Sequence, residues 1–423
     1  MIVTDVAART QGGEVELTAT VRFEAPAEES FGVYFRWPEA YGCPETIGDP
    51  FLAGLIVPAM ACGERLAIEA PVSRALLTAL RTRITPVVRR WGWDDDRVEV
   101  SAQETGDEAD AIGTAGLPPA AMGSDARDGP LTCFFSAGVD SWYSLMQHVD
   151  EVSHLLLMHG FEVNTEDALA WDTSHAHIRA IAEDLGKTLV VITTNIGEVA
   201  VSNAKKRMEA QGRPEEYLHF RRYSGSMQVA VALCLQQELH RFMVPTTWPW
   251  EFLEQRGSHP LLEPNWSTDA VRLALDGGEA DRIDKVRWLF EHAPDALRRV
   301  RVCFLTEHGE LNCGACAKCL RTMVEMRLVG ATNLIRSFDA ELDLHNVRMA
   351  AIPSGNPYFW PKLLAEARRV GDRDVVEAGE VLFGKRFYWP RARRNAARWL
   401  HQRWLSAPGR RFTLRMLGRL PRS

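Results

Sequence analysis

No stretch of the 423 residues holds the roughly 18 consecutive apolar side chains that a membrane-spanning helix requires. The first residues, MIVTDVAARTQGGEVE, lack the basic start and apolar core of an export signal, so no transmembrane anchoring and a cytoplasmic protein are expected. No G-x-G-x-x-G occurs, which removes the dinucleotide fingerprint. Leu185-Gly186-Lys187-Thr188 imitates a Walker loop, but Ile181 stands where the first glycine is needed. Residues 103–130 have almost no large apolar side chains and are rich in Gly, Ala, Asp and Pro, the composition of a linker. Acid is missing from the tail: Lys385 to Ser423 contains 12 Lys or Arg and no Asp or Glu. With a net charge of −7, the tail carries about +12 and the rest of the chain about −19.

Hydrophobic residues make up 46% of the chain, ample for one large core and a smaller one, and the length calls for two or three domains. Val15, Leu17, Ala19, Val21 and Phe23 alternate with polar residues, which predicts a half-buried strand. Phe31, Val33, Phe35 and Trp37 repeat that pattern after a Pro/Glu-rich turn, so the two segments are expected to pair antiparallel. A helix from Phe51 to Cys62 stopped by Gly63, a strand over 65–70, a helix capped by Ser73 and reaching toward Trp91, and the strand RVEVSA complete a small α+β N-terminal domain over 1–102. Beyond the linker, LTCFF, HLLLMH, TLVVIT and RFMVP are apolar runs bounded by turn signals and separated by helical periodicity. They predict an α/β fold, an open, mostly parallel sheet with flanking helices, whose ligands sit at the carboxyl ends of the strands.

The first of those runs leads straight into Ser136-Ala137-Gly138-Val139-Asp140-Ser141 and then the amphipathic WYSLMQHV. A strand, a small-residue loop and a helix N-terminus make an anion site: uncovered N–H groups meet the phosphate and the helix dipole adds about half a positive charge. Ser136 and Ser141 supply hydroxyls, and Asp140 either holds Mg2+ or fixes the loop. An ordinary tight turn uses the same residue types.

Four of the eight cysteines crowd into 17 positions: Cys303 in the strand-like RVCFL, then Cys313, Cys316 and Cys319. A C-x2-C-x2-C turn running into a helix can present three thiolates, with Cys303 as the fourth, and a closed tetrahedral set suits structural Zn2+. Buried apolar cysteines and an iron–sulfur cluster are the alternatives.

S-A-G-V-D-S after a strand resembles the S-G-G-x-D-S signature of the PP-loop ATP pyrophosphatases. The resemblance implies that this loop binds the pyrophosphate of ATP as a substrate attacks the α-phosphate. The sequence departs at Ala137, where the family usually has glycine; alanine leaves its N–H exposed unless the backbone needs a positive φ. The loop followed by C-x9-C-x2-C-x2-C and Arg321 is similar to the 7-cyano-7-deazaguanine synthases over roughly residues 131–330. There FRRYSGSMQVAVAL resembles the entry to the family's central helix, and Asp281 to Val286 its Lys-containing helix start, with Lys285. That division gives an accessory domain over 1–102, a linker over 103–130, a PP-loop domain with the knuckle over 131–345 and an extension with a basic aromatic tail over 346–423.

The resemblance implies ATP-dependent adenylation of a carboxylate or amide oxygen, followed by nitrogen attack to give an amide or nitrile, with a 7-deazaguanine acid and ammonia or an amine as partners. The added segments allow ligation to a protein or nucleic acid instead, and oligomerisation is compatible with either. Sulfur insertion into a nucleoside and a nucleotide-binding scaffold without chemistry are the other readings. Arg221 and Arg222 suit phosphate or carboxylate binding. Ser258 and His259, in the segment GSHPLLEPNWST after the fourth of those strands, are substrate candidates, with a loop histidine as the plain reading of His259. Lys205, Lys206 and Arg207 read as a solvated face. His175 and His177 face different ways on one helix.

Overall fold

The computed structural model describes residues 1–24, 29–94, 98–105, 129–213, 220–303, 310–350 and 358–388. The chain divides into two compact units, Met1–Glu341 and Leu342–Ser423.

The first unit is built on one ten-stranded sheet. Its strands are β1 (Ile2–Gln11), β2 (Glu14–Arg22), β3 (Ser30–Pro38), β4 (Leu66–Ser73), β5 (Val100–Thr105), β6 (Leu131–Phe134), β7 (Val152–His159), β8 (Thr188–Thr194), β9 (Arg241–Pro245) and β10 (Arg272–Asp276). They lie in the order β10-β9-β6-β7-β8-β3-β2-β1-β4-β5. The alternating runs form the expected antiparallel pair, with Leu17 opposite Phe35 and Val15 opposite Trp37, all four buried. Ahead of them lies β1, joined to β2 by Gly12-Gly13, whose φ values of 63° and 83° suit the tight turn between twisted strands. The helix α1 (Asp49–Cys62) ends at Gly63 with φ 65°, and Ser73 caps α2 (Arg74–Ala79) by accepting from the Leu76 N–H at 3.2 Å. The helix expected to reach Trp91 is broken: α2 passes through a π turn at Leu80–Ile84 before α3 (Thr85–Arg90).

The N-terminal strands are not a separate body, as residues 1–102 were expected to be. Phe35 and Arg36 of β3 pair antiparallel with Thr194 and Thr193 of β8. Side chains extend the join: Asn195 Oδ1 accepts from the Tyr34 N–H at 2.9 Å, and the Thr194 hydroxyl donates to the Tyr34 carbonyl at 2.6 Å. One hydrophobic core therefore contains Phe35, Phe51 and Leu52 together with Ile196, Ala200 and Ala230 from α6 (Ile196–Ala210) and α7 (Phe220–Cys234). Gly54 makes this contact close, since a Cβ there would stand 2.6 Å from Ile196 Cδ1. Of the expected linker, 103–105 belong to β5 and 106–128 lie outside the described residues.

Strands β6 to β10 are all mutually parallel and sit where the four apolar runs were read, with β10 in addition. From β6 the chain steps to β7 and β8 on one side, then returns to β9 and β10 on the other. Reversal of strand order beside β6 leaves a crevice between the carboxyl ends of β6 and β9, the place where open parallel sheets bind ligands.

The second unit consists, among the described residues, of α11 (Leu344–Met349), α12 (Phe359–Val370) and α13 (Arg373–Tyr388). It begins at Leu342. Gly371, with φ 77°, turns α12 into α13; Trp360, Leu363, Ala367, Val375, Ala378 and Leu382 are buried. Arg368 donates to Glu380 at 2.8 Å across the pair. The tail from 389 onward lies outside the described residues.

Candidate anion and metal site

Strand β6 is buried along its length and delivers Phe135, Ser136 and Ala137 to the crevice, where α4 (Val139–Gln147) begins with Gly138 as its N-cap. Ala137 has φ 59°, one of two non-glycine residues in the described chain with positive φ, and it is fully buried. An L-residue in that region is strained by roughly 1–2 kcal/mol. The position where the resemblance expects glycine is thus the one whose backbone favours it, whereas Gly138 at φ −71° has no such need. Ala137 is held from behind, its carbonyl accepting from the Arg301 N–H at 2.8 Å. Ser141 is buried and its hydroxyl donates to the Gly138 carbonyl at 3.1 Å, closing the first turn.

Asp140 gathers cations from distant parts of the chain. One carboxylate oxygen accepts from the Thr247 hydroxyl at 2.8 Å and from Arg282 Nη1 at 2.7 Å; the other faces Lys285 Nζ at 3.3 Å. Burial by itself would raise the Asp140 carboxyl, but Arg282 and Lys285 outweigh it and bring it down to about 2. Thr247 follows β9, so the hydroxyl bridges the two walls of the crevice. Arg282 and Lys285 lie one turn apart at the start of α8 (Arg282–His292), both buried. Lys285 also donates to the Thr246 carbonyl, and burial lowers its pKa. Both Asp140 oxygens are engaged by protein donors, which favours the loop-fixing role over direct Mg2+ ligation.

Arg282 continues the network, donating through Nε to Glu325 at 3.1 Å and through Nη2 to Thr322 at 3.2 Å. These two belong to α10 (Ala317–Leu328), which also carries Arg321, 3.6 Å from Glu325. Burial lowers Arg321 to about 10 and Lys318 to about 8.

The same helix grows out of the cysteine cluster. The four sulfurs of Cys303, Cys313, Cys316 and Cys319 lie within 4.8 Å of one another, with Cys303 to Cys316 at 3.9 Å and Cys313 to Cys319 at 4.0 Å. Four thiolates about 2.3 Å from a tetrahedral zinc would be about 3.8 Å apart, so the set could hold a metal ion such as zinc. The Cys316 N–H points to Cys313 Sγ at 3.4 Å and the Cys319 N–H to Cys316 Sγ at 3.5 Å, so the turn is wrapped around the sulfurs. Gly314, at φ 67°, is required twice over, because a Cβ there would lie 2.8 Å from Ala340 Cβ. All four are free of disulfides. Cys303 is not in a strand; 300–303 are irregular, and Asn312 holds them by accepting from the Val302 N–H at 2.7 Å.

Other expected site residues are placed elsewhere. Arg222 lies over the Trp93 ring at 5.3 Å, part of the contact between α7 and the N-terminal strands and helices; the Arg221 side chain lies outside the described residues. His259 is buried, packs edge-on to Trp91 at 4.8 Å, and accepts through Nδ1 from the Leu261 N–H at 3.1 Å. Its own N–H and Ser258 bind Glu263, whose carboxyl is buried and pushed up to about 7 by desolvation. The segment is therefore a self-capped turn in which His259 is buried, not the exposed loop histidine of the plain reading. Lys285 moves the other way, from a charge raised only by resemblance to the centre of the network.

Local sequence pattern does not single out Arg282, Arg301, Thr247 and Glu325. Two spacings carried part of the signal: Arg282 and Lys285 three apart, and Arg321 and Glu325 four apart, each pair on one helical face. No protein-family profile matches the chain, and neither the curated proteins nor the solved structures gave a significant match. Among the described residues no helix is long and apolar enough to cross a membrane.

Proposed function

We propose that the chain is an ATP-dependent adenylating enzyme of the PP-loop type. One observation carries this reading: a phosphate-loop-like turn with a positive φ at Ala137, at the strand-order reversal, is ringed by buried Arg282 and Lys285 under the control of Asp140. Helix-terminal N–H groups and buried cations fixed in advance are suited to the charge that develops on departing pyrophosphate.

In this reading a substrate carboxylate or amide oxygen forms a bond to the α-phosphorus of ATP while the α–β bridging P–O bond breaks, and pyrophosphate leaves with the bonding pair. A nitrogen nucleophile then displaces AMP to give an amide. A second round adenylates the amide oxygen with release of pyrophosphate, and cleavage of the C–O bond with departure of AMP and loss of both nitrogen protons gives a nitrile. Ser136, Gly138 and the start of α4 bind the phosphates, Arg282 and Lys285 orient and neutralise them, and Mg2+ accompanies the nucleotide. Zn2+ held by Cys303, Cys313, Cys316 and Cys319 would fix the start of α10, and so Arg321 and Glu325. The similarity to the 7-cyano-7-deazaguanine synthases makes a 7-deazaguanine acid the first substrate to try.

The test is incubation with ATP, 7-carboxy-7-deazaguanine and other candidate acids with ammonia, followed by mass spectrometry for AMP and product. AMP formation lost in Ser136→Ala and Asp140→Asn is the expected result. AMP release indifferent to both substitutions would sink the site assignment.

A further inference from the structure

Resting on that reading, we infer that Arg301 is a phosphate-binding residue of the loop, presenting an unused two-donor edge to the nucleotide's phosphate chain. Its backbone N–H donates to the Ala137 carbonyl, so the residue stands directly against the loop. The side chain is 3% exposed and makes one ion pair, Nη1 to Glu162 Oε2 at 3.3 Å, longer than the roughly 2.8 Å usual for charge-assisted bonds. The other two donor nitrogens, Nε and Nη2, are buried and have no hydrogen-bond partner among the described residues.

Those two atoms form one edge of the guanidinium, the fork that grips two oxygens of a phosphate at once. A chain keeps a buried fork unsatisfied at a cost, because each lost donor bond is worth on the order of a kilocalorie or more. The deficit is not a packing accident of a surface arginine, since Glu162 already fixes the far nitrogen and orients the plane. Glu162 comes from the turn after β7, and its charge also acts on Lys318. Placement against Ala137 favours the phosphate chain over the carboxylate of the acid substrate: the helix N-terminus that attracts phosphate begins at the next residue.

Titration calorimetry on the full chain with inorganic pyrophosphate alone, and separately with a candidate acid alone, tests this. Arg301→Gln should weaken pyrophosphate by about tenfold to a hundredfold, with Arg301→Lys recovering part of the loss. Ligand-free Arg301→Gln should melt no lower than the wild type, since it removes two buried unsatisfied donors and keeps the backbone bond. Pyrophosphate binding unchanged in Arg301→Gln would overturn the assignment, as would loss of acid binding alone or a clearly lower melting temperature without ligand. A wild-type chain that binds neither pyrophosphate nor ATP would instead overturn the functional reading beneath it.

Discussion

Asp140→Asn removes the carboxylate that faces both Arg282 and Lys285, which are 5% and 0% exposed. The loss can be sized from the carboxyl's own equilibrium. Its pKa falls from 3.8 to about 2 on folding, so the charged form is favoured by about 2 kcal/mol. Leaving two buried cations without their partner pushes the cost toward about 3–4 kcal/mol. The sign over pH follows from the depressed value: the stabilisation is present above the unfolded pKa near 4 and fades as pH falls toward 2. Urea unfolding of wild type and variant at pH 7 and again below pH 4 measures both quantities. The variant should be less stable by about 2–4 kcal/mol at neutral pH, and the gap should narrow in acid. Equal stability at pH 7, or a gap that widens in acid, would refute the claim that Asp140 is the electrostatic centre of the loop.

Glu263 provides the opposite case, since its carboxyl is raised to about 7 by burial. A raised carboxyl contributes stability that is complete below the unfolded value near 4.5 and is lost as pH climbs through 7. Glu263→Gln should therefore flatten the stability profile between pH 4.5 and 7, read by melting temperature against pH. Loading zinc into the metal-free four-cysteine set should raise the melting temperature and strengthen pyrophosphate binding together, because Cys316 and Cys319 begin the helix that carries Arg321 and Glu325. Calorimetry before and after zinc is added checks both effects. Ala137→Gly should fall within about 1 kcal/mol of wild type, with relief of strain set against a freer unfolded chain and a lost buried methyl. Ala137→Val, β-branched at φ 59° in a fully buried position, should cost about 2–4 kcal/mol in urea unfolding.

Much of this was legible in the residues because it is local. Strict alternation fixed β2 and β3 as half-buried partners, and the buried apolar runs fixed four of the five parallel strands. Ser73, Gly63 and the loop from Ser136 to Ser141 mark the turns where chain direction and helix start are decided within a few residues. The three closely spaced cysteines on a turn entering a helix need only neighbouring geometry to converge, and distant Cys303 completes the set.

Tertiary structure alone decided the rest. Joining of β3 to β8 turned an apparent accessory domain into half of one sheet, an outcome that depends on Thr194 and Asn195 meeting a strand about 160 residues away. No window of sequence holds Asp140 with Arg282 and Lys285, 142 and 145 positions on, and it is their pairing in space that keeps the Asp140 carboxylate charged against its burial. His259 and Arg222 look like ligand residues in sequence and are packed against Trp91 and Trp93 in space. A side chain's chemistry is written in its own position, but the dielectric and the partners that direct it come from segments the fold brings together.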